Sequence, residues 1–222
     1  MVSVYVPEKA READLIPDTL AHATRTLAPG DILYEAGKEA SSLYFVNFGI
    51  LKAIVPTSLG RDRIADLYGP GDVLGSAAID GMMHAETVIA AHDTSLTPLN
   101  AQQAMTDRRL RTYILRSLAR QLRRSRELID DAELPVGARV TRTFLRLSNR
   151  FGQPADGQAG VKLPLSLTHE DLASLTGSSR VTITRILGEL RNEGALVGTR
   201  GVYVANPKQL EAATDNYVMQ VI

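Results

Sequence analysis

A chain of 222 residues, 44% hydrophobic and without cysteine, exceeds one typical domain of roughly 100–150 residues, has apolar content for two cores, and excludes disulfides, thiolate metal sites, iron–sulfur clusters and cysteine nucleophiles. It has no run of about 18 apolar residues to span a membrane, and its first nine residues lack the basic and long apolar regions of a secretory signal, which predicts a cytoplasmic protein with no membrane partner. The formal net charge of zero hides a segregation: residues 1–106 carry 7 Lys/Arg against 13 Asp/Glu, residues 107–134 carry 8 against 5, and residues 135–205 carry 9 against 5.

Residues 26–100 read as short strands. Apolar residues alternate in Leu43-Tyr-Phe-Val-Asn-Phe and in Ile50-Leu-Lys-Ala-Ile-Val. Turn signals recur at Pro29-Gly30-Asp31, Ala36-Gly37-Lys38, Phe48-Gly49, Leu59-Gly60-Arg61 and Gly69-Pro70-Gly71-Asp72. Short strands spaced by Gly/Pro turns predict a sandwich or a small roll. Gly69-x-Gly-x-x-x-Gly75 has the wrong spacing for a dinucleotide loop and reads as a turn.

Residues 107–133 predict a long helix, with Asp107 as N-cap and no Gly or Pro before Pro135. Leu115, Leu118, Leu122, Ser125, Ile129 and Ala132 alternate at spacings of 3 and 4. That stripe suits either a helix paired with another helix or an amphipathic helix lying on its own domain. Leu134-Pro-Val-Gly137 reads as a hinge, Ala138–Arg150 as a further helix, and residues 152–160 as a surface loop. The chain therefore divides into a β-rich domain (1–106), a long helix (107–134) and a C-terminal domain (135–222).

Residues 168–194 are the most informative. Thr168-His-Glu-Asp171 has the form of a capped helix start, and Leu172, Ala173 and Leu175 supply its buried side. Thr176-Gly177-Ser178 makes a tight turn, Ser178 or Ser179 caps a second helix, and Gly194 stands where a terminating glycine belongs. Helix, short glycine turn, helix is a helix-turn-helix. In the second helix Ile183, Ile186, Leu187 and Leu190 must face a core. Arg180, Val181, Thr184 and Arg185 lie opposite, where such a helix meets base edges in the major groove or simply presents a solvated face. Gly198-Thr-Arg-Gly201 predicts a hairpin wing, with Arg200 either on a phosphate or in a plain exposed turn. The basic half of the chain fits a polyanion partner, although surface charge also fluctuates along any chain.

These strings resemble the cyclic-AMP receptor protein/FNR family of bacterial transcription regulators over about residues 26–205. The N-terminal resemblance rests on Pro29-Gly-Asp-Ile-Leu-Tyr-Glu-Ala-Gly37, Leu43-Tyr-Phe-Val-Asn-Phe-Gly49 and Gly69-Pro-Gly-Asp-Val-Leu-Gly75. The C-terminal one rests on Leu167-Thr-His-Glu-Asp-Leu-Ala and Gly177-Ser-Ser-Arg-Val-Thr-Ile-Thr-Arg-Ile-Leu, the latter most similar to the global nitrogen regulators of cyanobacteria. The resemblance implies an α+β chain: a cyclic-nucleotide-binding-like β-roll, a long dimerisation helix and a winged helix-turn-helix. It implies a homodimer on double-stranded DNA that contacts RNA polymerase and activates transcription, and no enzyme activity. Carried over residue by residue, it assigns DNA contacts to Thr168, Ser179, Arg180, Val181, Thr182, Thr184, Arg185 and Arg200.

The departures concern the effector. Cyclic-AMP-binding members carry a Gly-Glu pair and then an Arg-Ser pair that holds the cyclic phosphate. Here the first reads Gly75-Ser76, followed by Ala77, and the second falls near Ala85-Glu86, whose charge repels a phosphate. Ser125 falls where those members touch ligand from the dimer helix. Arg123 and Arg124 beside it are either solvated or able to hold an acidic metabolite. The protein thus works without an effector or with one other than cyclic AMP. No cofactor or metal is implied, since His22, His84, His92 and His169 are scattered. A cupin-type enzyme needs the clustered ligands this chain lacks. A nucleotide-binding signalling subunit would not need the Arg180/Arg185 face.

Overall fold

The computed structural model describes residues 24–57, 62–155, 160–165, 167–198 and 202–220. The chain forms two compact units, divided between Ser125 and Arg126.

The first unit is a β-roll. Strands β1 (Arg25–Leu27), β3 (Ser42–Phe48), β6 (Val73–Leu74) and β8 (Thr94–Asn100) form one antiparallel sheet in the order β1-β8-β3-β6. Strands β2 (Ile32–Tyr34), β4 (Leu51–Pro56), β5 (Asp62–Tyr68) and β7 (Thr87–Ala90) form a second in the order β2-β7-β4-β5. Strand β3 shows why its apolar run is continuous. Side chains alternate faces at period two, so Tyr44 and Val46 join the core shared with Leu33, Leu51 and Val88. Leu43 and Phe45 join a second core with Leu99, Ala104, Leu110 and Ile114. That second core is closed by helices α2 (Ala101–Thr106) and α3 (Arg108–Asp131). The turns expected at residues 30, 37, 49 and 71 are made by glycines at positive φ. At Gly49 (φ 93°) a Cβ would also strike Asp93 and Thr94, so both backbone and space demand glycine. The turn expected at Leu59-Gly60-Arg61 lies outside the described residues. A short helix, α1 (Ala77–Asp80), follows β6.

Helix α3 starts as expected. Asp107 Oδ1 accepts the amides of Arg109 and Leu110 at 2.8 and 2.9 Å. Its 24 residues span roughly 36 Å at 1.5 Å per residue. One stripe of α3 bonds to the turn that precedes β6 and to β6 itself. Tyr113 and Arg120 donate to Gly71 O, Gln121 donates to Val73 O, and Ser117 Oγ accepts the Val73 amide. Arg124 ends the stripe on Asp66 and Asp72.

In the second unit, helix α4 (Val136–Phe151), strands β9 (Gln153–Pro154) and β10 (Val161–Leu163), helices α5 (His169–Thr176) and α6 (Arg180–Asn192), strands β11 (Leu196–Val197) and β12 (Tyr203–Ala205), and helix α7 (Pro207–Met219) follow in order. The sheet runs β11-β12-β10-β9. The break expected at Leu134–Gly137 lies two residues earlier, because α3 ends at Asp131 and α4 already begins at Val136. The surface loop expected over 152–160 holds a strand, since Gln153 and Pro154 pair with β10. Phe144 of α4 meets Tyr203 edge-on at 5.2 Å, and both are fully buried with Leu172, Ile183 and Ile186. Each such side chain contributes about 1.5–3 kcal/mol through burial. Asp131, at the end of α3 and buried, is ion-paired with Arg142 and Arg146 of α4.

Candidate DNA interface and effector pocket

Helix α5 begins on a capping box. The Thr168 hydroxyl accepts the Asp171 amide while Asp171 accepts the Thr168 amide and hydroxyl. It ends at Gly177, whose φ of 60° reverses the chain at no Cβ cost. Ser179 then caps α6 by accepting the Thr182 amide at 3.1 Å, and its hydroxyl also bonds the Thr182 hydroxyl. The hydroxyls of Thr168, Ser179 and Thr182 are thus committed to setting the two helices.

The faces of α6 separate cleanly. Ile183, Ile186, Leu187 and Leu190 have no exposure, whereas Val181 is 80% exposed. Arg180, Thr184 and Arg185 are exposed on the same side as Val181. Sequence reading missed His169, whose Nδ1 bonds the Thr184 hydroxyl at 2.8 Å. Burial, then the charges of Arg191 and Arg180, keep that imidazole below its usual pKa and hence neutral at pH 7. Glu189 was also missed, although its place one turn after Arg185 follows the helix pairing rule; the two form an ion pair. The wing strands β11 and β12 pair as expected, and Arg191 Nε holds Gly198 O at 2.9 Å. Arg200 lies outside the described residues.

Of the seam residues, Leu115, Leu122 and Ile129 are 55, 56 and 70% exposed. Ser125 stands on the same helix with its hydroxyl turned back onto Gln121 O, whereas Ala132, expected in the seam, falls in the turn just past the helix end at Asp131. Leu118 is half-buried against the second core of the roll.

Within the roll, Glu86 Oε1 accepts hydroxyls from Tyr34 at 3.1 Å and Tyr68 at 3.0 Å. His84 stacks on the Tyr34 ring, centroids 3.7 Å apart. Burial is the largest influence on Glu86 and raises its pKa; the two tyrosine hydroxyls oppose it. Both phenols are pushed well above their usual range, first by burial and then by the Glu86 charge, so they remain donors. Ser76 stands at the start of α1 with no side-chain cap bond, followed by half-buried Ala77, and Ala85 is exposed. Arg123 is exposed. Arg124 is neither solvated nor open to a ligand, because its guanidinium bonds Asp66 at 2.7 Å and Asp72 at 3.3 Å.

A β-roll, a long helix and a winged helix-turn-helix in this order define a two-domain DNA-binding regulator. Two family models match: the cyclic nucleotide-binding domain over residues 24–106 and the Crp-like helix-turn-helix domain over residues 138–213. The chain belongs, by these two domains together, to the cyclic-AMP receptor protein/FNR family. It is 28% identical to the CRP-like cAMP-activated global transcriptional regulator of Mycobacterium tuberculosis over 80% of this chain and 84% of that protein. It is 29% identical to the transcriptional regulator LdrP of Thermus thermophilus over 84% of this chain and 94% of that one. A solved CRP-family transcriptional regulator, also of Thermus thermophilus, matches with a TM-score of 0.74 at 25% identity, covering 87% of this chain and 98% of its own. These relatives are transcription regulators. Among the described residues no helix is long and apolar enough to cross a membrane.

Proposed function

We propose that the protein is a homodimeric, sequence-specific regulator of transcription that reads a two-fold symmetric operator through the first two turns of α6 and does not answer to cyclic AMP. The observation that carries this reading is the division of α6 into a face with no exposure and a face on which Arg180, Val181, Thr184 and Arg185 stand exposed. Arginine bonds guanine O6 and N7 together, and valine packs on a thymine methyl. Two copies of α6 then occupy successive major grooves with half-site centres roughly 34 Å apart.

The exposed apolar residues of α3 support pairing about that helix, since a seam of Leu115, Leu122 and Ile129 left in water is costly. Activation through RNA polymerase is part of the proposal by analogy with the family. The string from Gly177 to Leu187 supports a place near the global nitrogen regulators of cyanobacteria. An acidic-metabolite site at Arg124 has no such support, because that guanidinium is committed to two carboxylates. The mycobacterial relative is cAMP-activated; here Glu86 stands near the phosphate position, where an anion repels an anion.

Selection of bound sites from random DNA tests the reading. The wild type should return an inverted repeat. Arg180→Ala should cost about 1–3 kcal/mol at that site and relax one base. Val181→Glu should move one position from A·T towards G·C. An unchanged consensus from both variants would sink the assignment of α6 to base readout.

A further inference from the structure

The base-facing Arg185 is the near end of a chain of contacts that leaves α6 altogether. Its Nη1 donates to Glu189 Oε1 one turn further along. The other carboxylate oxygen of Glu189 accepts the Tyr217 hydroxyl at 2.7 Å. Tyr217 belongs to α7, the last helix of the chain, 28 residues on in sequence. Its ring lies over Gly137 in the first turn of α4, where a Cβ would overlap ring carbons Cγ, Cδ1 and Cε1. Helix α7 is tied to α4 again by the Thr141 and Thr214 hydroxyls, 2.6 Å apart. The phenol is thus seated by two helices and aims its hydroxyl at the third.

We infer that Tyr217 and Glu189 are positioning residues for base readout: Tyr217 orients the Glu189 carboxylate, and Glu189 orients the Arg185 guanidinium towards the major groove. The inference rests on the proposed reading of bases by α6. Its chemistry follows from the donor inventory. A guanidinium has five N–H groups in a fixed planar fork. Commitment of Nη1 to Glu189 leaves the Nε and Nη2 edge to present the paired donors that guanine O6 and N7 accept. An exposed arginine otherwise samples many rotamers, and one held by a carboxylate approaches the groove in fewer. A carboxylate accepting from both Arg185 and Tyr217 is itself held at both oxygens. Burial and the Glu189 hydrogen bond and charge raise the Tyr217 phenol above its usual range, so it remains a donor at any working pH.

The consequence is specificity rather than bulk affinity. With the full-length protein and the operator selected by the wild type, binding is measured to that operator and to a copy with the Arg185 guanine replaced by adenine. Tyr217→Phe keeps the ring on Gly137 and removes only the hydroxyl. It should reduce the guanine-over-adenine preference about five- to tenfold, the order of one typical net hydrogen bond. The slope of affinity against salt should stay at the wild-type value, because no phosphate contact is removed. In an Arg185→Ala background the Tyr217→Phe effect on preference should vanish.

Three results would overturn the inference. If Tyr217→Phe leaves the preference intact while Arg185→Ala abolishes it, base readout stands and the relay fails alone. A loss of affinity for all sequences that persists in the Arg185→Ala background would make Tyr217 a support of the fold only. A selected consensus unchanged by Arg185→Ala would remove the readout itself, and the relay with it.

Discussion

Glu86 is a largely buried carboxylate held by two phenol donors. Burial raises its pKa. A group raised in this way stabilises the folded state most below its unfolded pKa, and that contribution is lost as pH rises through the folded value. The wild type should therefore lose stability as pH rises from the ordinary carboxylate range towards neutral. Glu86→Gln keeps an acceptor for both tyrosines and has no charge to bury. It should melt at a higher temperature than the wild type near neutral pH, and the gap should close in the ordinary carboxylate range; equal melting profiles would contradict this. Calorimetry should detect no micromolar binding of cyclic AMP to the wild type. The sign of the charge at residue 86 was legible from the sequence. Its partners were not, because Tyr34 and Tyr68 lie 52 and 18 residues away. Arg124 was misjudged for the same reason, since Asp66 and Asp72 precede it by 58 and 52 residues. Long-range ion pairs leave no local pattern.

At the scale of elements, the helices were legible wherever local chemistry marks their ends. Asp107, Thr168, Gly177 and Ser179 each stand at the boundary their side chain or φ dictates. The pairing of β10 with both β9 and β12 was not, because it joins residues 153–154, 161–163 and 203–205. Helix α7 carried a signal that went unused: Asn206 caps it and Pro207 opens it. The outer face of α3 supports the most direct test of assembly. Leu122 is 56% exposed, so a charge there costs a lone chain little. In a pair of such helices Leu122→Arg would bury an unpaired charge from each copy, a penalty on the order of 3–5 kcal/mol. Sedimentation should then find monomers and DNA affinity should fall. An unchanged dimer would place the interface elsewhere.

Across the whole molecule, the charge segregation of the sequence runs by stretch and not by unit: residues 1–106 are acidic and residues 107–205 basic, whereas residues 1–125 carry 14 Lys/Arg against 14 Asp/Glu and residues 126–222 carry 11 against 11. Strand β6 is one of the two margins of the sheet β1-β8-β3-β6, and an open margin invites another chain to add a strand. Here Ser117 takes the Val73 amide and Gln121 takes the Val73 carbonyl, so helical side chains stand in for the missing strand. Ser117→Ala would leave that amide without its acceptor at a site where residue 117 has no exposure. Hydrogen exchange at Val73 should accelerate, and the protein should become prone to concentration-dependent association on warming. If exchange and association both stay at wild-type levels, the margin is guarded by something other than α3. Otherwise α3 also keeps the roll from adding strands at its β6 margin.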